Sequence, residues 1–179
     1  MISTEFECSI LDYNIEEFKE KLKKLGIKLV SEDYQKRYVY DFEPINPNSW
    51  IRLRTNGEKT TLAVKDIKDK NAIGGTSKLE VTVESFAITN EILNRMGFHP
   101  RNYQENKREE YNYKDVKLKI DYWPQIPPYI KIEGKNEKEV LKAIEELGLS
   151  NEKITTLDVE SIYKQVYNID LLNIRELRF

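Results

Sequence analysis

The sequence predicts an α+β fold: an antiparallel sheet with helices packed on its apolar face, able to close or nearly close into an eight-stranded barrel with the helices outside. Three observations lead there. Residues 50–66 (WIRLRTNGEKTTLAVKD) read as a hairpin with cations on one face and apolar side chains on the other. Several further strands repeat that division into a charged and an apolar face. Three helical segments carry apolar stripes that need a surface to cover.

The hairpin turns on Asn56-Gly57, the strongest short-range signal for such a turn. Alternation points Arg52 and Arg54 to one side of the first strand, and Ile51 and Leu53 to the other. A two-residue loop pairs Arg54 with Lys59 and Arg52 with Thr61. A four-residue loop leaves the facing unchanged, with Lys65 on the arginine side and Leu62 and Val64 opposite. Such a row of cations repels itself unless an anion sits among them or water screens them.

Taken in order, residues 4–11 alternate, with Glu5, Glu7 and Ser9 on one face and Phe6, Cys8 and Ile10 on the other. Asn14 and Glu17 form a capping box for a helix whose stripe is Ile15, Phe18, Leu22 and Leu25, stopped by Gly26. Residues 28–30 read as a short strand and 35–42 as an aromatic, β-branched one, followed by a loop over 44–48. After the hairpin and a polar loop over 68–76, residues 78–84 set Leu79, Val81 and Val83 against Lys78, Glu80, Thr82 and Glu84. A short helix over 89–96 ends at Gly97.

Residues 107–113 and 116–121 are strands joined at Lys114-Asp115, with Lys117, Lys119 and Asp121 opposing Val116, Leu118 and Ile120. Beyond the loop 122–128, residues 129–133 set Lys131 and Glu133 against Ile130 and Ile132. Asn136 and Glu139 box a third helix with the stripe Val140, Ile144, Leu147 and a Gly148 stop. Asp158 caps a last helix to about residue 167, and the tail packs back. A strand with glutamates, a helix and a glycine stop occur three times. This echo is too loose for a solenoid and suits two halves that give strands to one sheet.

An open sheet leaves the charged faces to solvent. If the helices cover the apolar faces, a closed sheet holds the charges inside, where they need partners, water or a ligand. Arginine and lysine take phosphate oxygens, and carboxylates take a divalent cation, so a triphosphate with magnesium or manganese meets both demands. Periodicity leaves both arrangements open.

The 179 residues make one domain or at most two small ones. Charged residues are 34% of the chain, interspersed, with a net charge of -2, which points to neither a nucleic-acid nor a membrane partner. Cys8 is the single cysteine, which rules out an internal disulfide and a zinc cluster. No signal-peptide pattern or spanning apolar run is present, and a cytoplasmic location is expected. The single histidine, His99, precedes Pro100 and reads as incidental. Acid–base or metal chemistry therefore rests on carboxylates, lysines and tyrosines.

Glu5-x-Glu7, Tyr38-Val39-Tyr40-Asp41, Arg52-Leu53-Arg54, Lys65, Glu80, Arg108, Asp121 and Ile132-Glu133-Gly134, in this order, resemble the CYTH superfamily. That superfamily groups class IV adenylate cyclases with thiamine triphosphatases and inorganic triphosphatases. The resemblance covers most of the chain to about Gly134 and is weaker beyond. It implies one CYTH-like domain over 1–179, with a C-terminal helix and tail from about 158. It also implies the family's triphosphate tunnel, a closed antiparallel barrel with charges inside and helices outside.

By that resemblance, Glu5, Glu7, Glu80, Asp121 and Glu133 hold one or two magnesium or manganese ions. Arg52, Arg54, Lys65, Lys107 and Arg108 bind the triphosphate, and Glu5, Glu7, Lys65 and Arg108 are the catalytic set. The implied activity is metal-dependent chemistry on a nucleoside triphosphate or an inorganic or organic triphosphate. A ribose hydroxyl as nucleophile gives cyclic AMP and pyrophosphate, and water gives hydrolysis. The chain departs from the family's E-x-E-x-K at Ser9, from its later Glu-x-Glu at Lys131, and from a frequent second glutamate at Thr82. These departures support an alternative, a non-catalytic nucleotide or polyphosphate binder with a degenerate site. A homodimer is left open.

Overall fold

Period-two alternation with a charged and an apolar face is realised here as a ring of strands. The structure, a computed structural model, describes residues 2–179. In chain order the elements are β1 (Ile2–Leu11), α1 (Ile15–Lys24), β2 (Leu29–Asp41), β3 (Ser49–Thr55), β4 (Thr60–Ile67), β5 (Thr76–Val83), α2 (Phe86–Arg95) and β6 (Pro100–Tyr113). They continue with β7 (Val116–Tyr122), β8 (Tyr129–Gly134), α3 (Glu137–Glu146), β9 (Lys153–Thr155), α4 (Val159–Ser161, followed by a π-helical turn over Ile162–Val166) and β10 (Glu176–Leu177).

The sheet runs β6-β2-β3-β4-β5-β1-β8-β7, and pairing of β6 with β7 closes it, so eight antiparallel strands form a barrel with no free edge within the ring. β1 pairs with β5 through residues 2–5, and the short β9 takes up the same edge at residues 9–11. β10 lies parallel against β6.

The helices cover the outside, as the apolar stripes require. Asn14 accepts from the amides of Glu16 and Glu17 to start α1. Phe18 and Leu22 of α1, with Val140 and Ile144 of α3, pack on Cys8, Ile10, Leu118, Ile120, Ile130 and Ile132 in one core. A separate core forms where Leu93 of α2 meets Tyr40, Ile51 and Leu53, and Phe86 stacks on Tyr38 at 5.1 Å between ring centres. That contact explains why α2 begins at Phe86, capped by the Ser85 hydroxyl, and not at residue 89. The three strand–helix repeats are β1–α1, β5–α2 and β8–α3. Gly26 (φ 70), Gly97 (φ 94) and Gly148 (φ 65) all turn left-handed after their helices.

At one end of the barrel the inward positions become apolar. Leu11, Trp123 and Tyr129 meet Ile162, Tyr163 and Leu171 of the C-terminal segment. The Asn102 amide donates to the Leu171 carbonyl at 3.2 Å, which fixes this segment across part of that end.

Three expectations about elements are corrected. Residues 28–30 and 35–42 belong to one long strand, β2, because β6 pairs along nearly all of it. β6 itself starts at Pro100, well before residue 107. The hairpin has the four-residue loop: Thr55 pairs with Thr60, so Arg54 faces Thr61, Arg52 faces Ala63, and Lys59 sits in the loop. Among the described residues, no helix is long and apolar enough to cross a membrane.

Candidate functional site

The barrel encloses a cavity of about 640 Å³. Strand alternation carries the charged faces into it. Glu5, Glu7, Arg52, Arg54, Lys65, Glu80, Arg108, Asp121 and Glu133 all line this space. Lys107 does not. It neighbours Arg108 on β6, so the period of two sends one inward and the other outward. Lys107 is exposed, its ammonium 5.2 Å from the Phe179 ring on the outer surface, and its assignment to the triphosphate set is corrected on that ground.

Two stretches of the lumen differ in chemistry. In the first, lysines alternate with glutamates. The cross-strand partners Lys65 and Lys78 would repel, but Glu5 lies between them, 2.5 Å from Lys65 and 3.5 Å from Lys78. Lys78 also reaches Glu80 at 3.3 Å. The facing pair Lys119 and Lys131 is relieved in the same way, Lys119 by Glu133 and Lys131 by Glu7 at 2.8 Å. Burial opposes ionisation of Glu7, yet Lys131, Lys65 and Lys119 outweigh it and hold its carboxyl well below the usual range. Burial and the nearby Arg52 push Lys65 down to about 8 against the pull of Glu5 and Glu7.

In the second stretch arginines gather. Arg37 on β2 and Arg54 on β3 are cross-strand partners on the inward face. Arg108 is clamped by its cross-strand partner Asp121, at 2.6 and 2.7 Å to the two oxygens. Arg52 reaches over the small Ala63 between them to Glu80 at 3.2 Å. Among the described residues, no carboxylate lies within ion-pair distance of Arg37 or Arg54. Arg52, burial and Arg108 together push Arg54 down to about 9. Arginine keeps its proton in proteins, so this depression expresses burial and repulsion that the more distant Glu80 and Asp121 only partly offset.

The donor set also bears on a divalent cation. Among the described residues, no group of three or more acids, histidines or cysteines converges on one point. Asp121 has both oxygens engaged by Arg108, which leaves it poorly placed as a ligand. Glu7 and Glu133 are direct cross-strand partners on the inward face. Such a pair fits a magnesium-type ion, which takes one or two carboxylates and completes its shell with phosphate oxygens and water. It does not fit an all-protein cage.

Sequence reasoning left Arg37 without a face, although alternation across 33–41 places Asp33, Gln35, Arg37 and Asp41 inward and would have found it. The two departures on β1 and β8 turn out to be neighbours: Ser9 and Lys131 are cross-strand partners. Lys131 thus places an amine one inter-strand spacing from position 9, where the resemblance expects one.

A family model for the CYTH domain matches residues 3–159. The chain belongs to the CYTH family. No curated protein sequence matches it significantly. Solved structures share the CYTH fold with it. A conserved hypothetical protein from Pyrococcus furiosus superimposes with a TM-score of 0.75 at 20% identity, covering 87% of this chain and 98% of that one. A Bacillus halodurans protein named as a candidate adenylate cyclase gives 0.59 at 16% identity, covering 83% and 92%. A Hippeastrum protein, named as a candidate adenylyl cyclase with a dominant triphosphatase activity, gives 0.61 at 14% identity, covering 96% and 98%. At these identities the likeness is one of fold.

Proposed function

We propose that this CYTH protein binds a triphosphate along its lumen and, with magnesium or manganese, catalyses its cleavage. The observation that carries the reading is the arginine stretch, where buried cations crowd together with too few carboxylates to balance them. A polyanion of phosphoryl groups is the ligand that relieves such a site, through charge-assisted bonds from guanidinium and ammonium groups. In this reading Arg52, Arg54 and Arg108 grip phosphoryl oxygens, and Lys65 neutralises charge that develops on the leaving group. Glu7 and Glu133, with Glu5 and Glu80 nearby, would hold the divalent cation, which would supply Lewis-acid polarisation of the phosphoryl group. Water as nucleophile makes the protein a triphosphatase, and a ribose hydroxyl makes it an adenylate cyclase.

A second reading is a non-catalytic binder of nucleotides or polyphosphate. One observation favours it: Lys131 occupies Glu7 at 2.8 Å, and Lys119 occupies Glu133, so the two best metal ligands already have cations on them. One experiment separates the readings. Inorganic triphosphate and ATP are incubated with the protein and magnesium or manganese, and phosphate, pyrophosphate and cyclic AMP are resolved, alongside thermal melting with each ligand. Melting raised by triphosphate together with turnover supports the enzyme. Raised melting without any product supports the binder, and melting unmoved by millimolar triphosphate overturns both.

A further inference from the structure

Among the buried arginines of the lumen, Arg37 is the one held by neutral side-chain acceptors. It is 6% exposed, and its guanidinium carbon lies 4.6 Å from the centre of the Trp123 ring. Its Nη2 donates to the side-chain oxygens of Gln35, at 3.1 Å, and of Asn106. Those are neutral acceptors. Among the described residues its Nε, like that of Arg52, is buried with no acceptor, and so is the indole N–H of Trp123 beside it. Both residues line the cavity. A buried charge with neutral partners beside three like charges is costly, and a structural role does not explain it, since apolar residues would fill the space more cheaply. Stacking on an indole and two fixed acceptors hold the guanidinium plane in one orientation, which is how an arginine is prepared for an oxyanion.

We propose that Arg37, held on Trp123, is a fourth anion-binding arginine, which contacts a phosphoryl oxygen of the polyphosphate directly, without a bridging metal ion. The assignment rests on the triphosphate reading above and deepens it. The arginine stretch binds phosphate by itself, and any divalent cation belongs to the lysine–glutamate stretch. The contribution of Arg37 to affinity is therefore the same with magnesium and with a chelator present.

The test is calorimetric titration of inorganic tripolyphosphate into the wild type, Arg37→Gln and Arg37→Lys, each with magnesium and with EDTA. Circular dichroism first checks that each variant is folded. Arg37→Gln is expected to bind at least tenfold more weakly, by the same factor in both media, while Arg37→Lys recovers part of the loss. A folded Arg37→Gln that binds within twofold of a binding wild type overturns the assignment and leaves the triphosphate reading standing. A loss confined to the magnesium series overturns it too. A wild type that binds no tripolyphosphate overturns both. If Arg37→Gln does not fold, Arg37→Met against Arg37→Lys decides: the charged variant must bind at least tenfold tighter, and equal affinities sink the proposal.

Discussion

The lysine–glutamate stretch and the arginine stretch of this lumen handle buried charge in opposite ways. In the first, like-charged partners face each other across the strands, and a carboxylate lies against each lysine, so the charges are satisfied within the protein. In the second, Asp121 serves Arg108 and Glu80 serves Arg52, while Arg37 and Arg54 face each other with no acid between them among the described residues. One stretch is balanced before any ligand arrives, and the other is balanced by the ligand. A tunnel of one uniform chemistry would have to choose between a stable empty state and a strong grip on an anion. Dividing the labour between different strands of the ring allows both.

The sharpest way to break that comparison is to remove one acid from each stretch. Asp121 is 1% exposed and alone clamps Arg108. Asp121→Ala should cost about 3–5 kcal/mol of stability in urea denaturation, because it strands a buried guanidinium among like charges. Glu133 is 37% exposed at its side chain, and Lys119 also feels Glu7. Lys119 is itself buried but keeps the attraction of Glu7, so Glu133→Ala should cost less, about 1–3 kcal/mol. Equal losses would mean that the two stretches are balanced alike.

Affinity comes next. Arg54→Ala should weaken tripolyphosphate binding by about 1–3 kcal/mol in calorimetry while leaving the ligand-free melting temperature unchanged or higher. A variant that melts well below wild type would show that Arg54 stabilises the empty barrel after all.

A smaller effect concerns protons. Burial and Arg52 push Lys65 down to about 8, so a fraction of it is deprotonated in the free protein at pH 8. An incoming triphosphate favours the charged form, so binding without divalent cations at pH 8 should take up a fraction of a proton, and Lys65→Arg should abolish the uptake. Calorimetry in buffers of different ionisation enthalpy reads this directly. Uptake that persists in Lys65→Arg would assign the proton elsewhere.

A last change lies at the border of the two chemistries. Ser9→Lys combined with Lys131→Glu reverses one cross-strand pair and frees Glu7 from its lysine. Metal-dependent turnover of triphosphate should rise by up to about tenfold, or about 1.4 kcal/mol. A wild type that turns over at an ordinary rate, with no gain in the double variant, would show that the exchange is harmless.

Much of this was readable from residue order. The hairpin face, the strands flanking Ser9 and Lys131, and the three capped helices follow from alternation and capping, because there the apolar and charged positions are cleanly separated. The first half of β6 hid itself. Its inward positions Asn102, Gln104 and Asn106 are polar. Its outward Glu105 is equally polar, held by Tyr34, Tyr103 and Arg178, so hydrophobic alternation is absent. Arg37 goes unassigned and Lys107 is placed among the phosphate ligands for a related reason. Each sits in a run of adjacent cations, Lys36-Arg37 and Lys107-Arg108, where charge alone cannot tell the inward member from the outward one. Strand register can, and register depends on partners distant in sequence.

That distance has a consequence for how the chain is made. Phe6 of β1 pairs with Gly134 of β8, 128 residues further along. At a synthesis rate of about 5–20 residues per second, β1 waits about 6–25 s for that neighbour to be translated. Throughout the interval it presents an unpaired edge and the apolar Phe6, Cys8 and Ile10, with α1 alone made early enough to shield them. The closed ring that spares the finished molecule from edge-to-edge association therefore leaves its nascent chain exposed to it. Slowing elongation between β1 and β8 with rare codons should lower soluble yield, and the same codons placed after β8 should not.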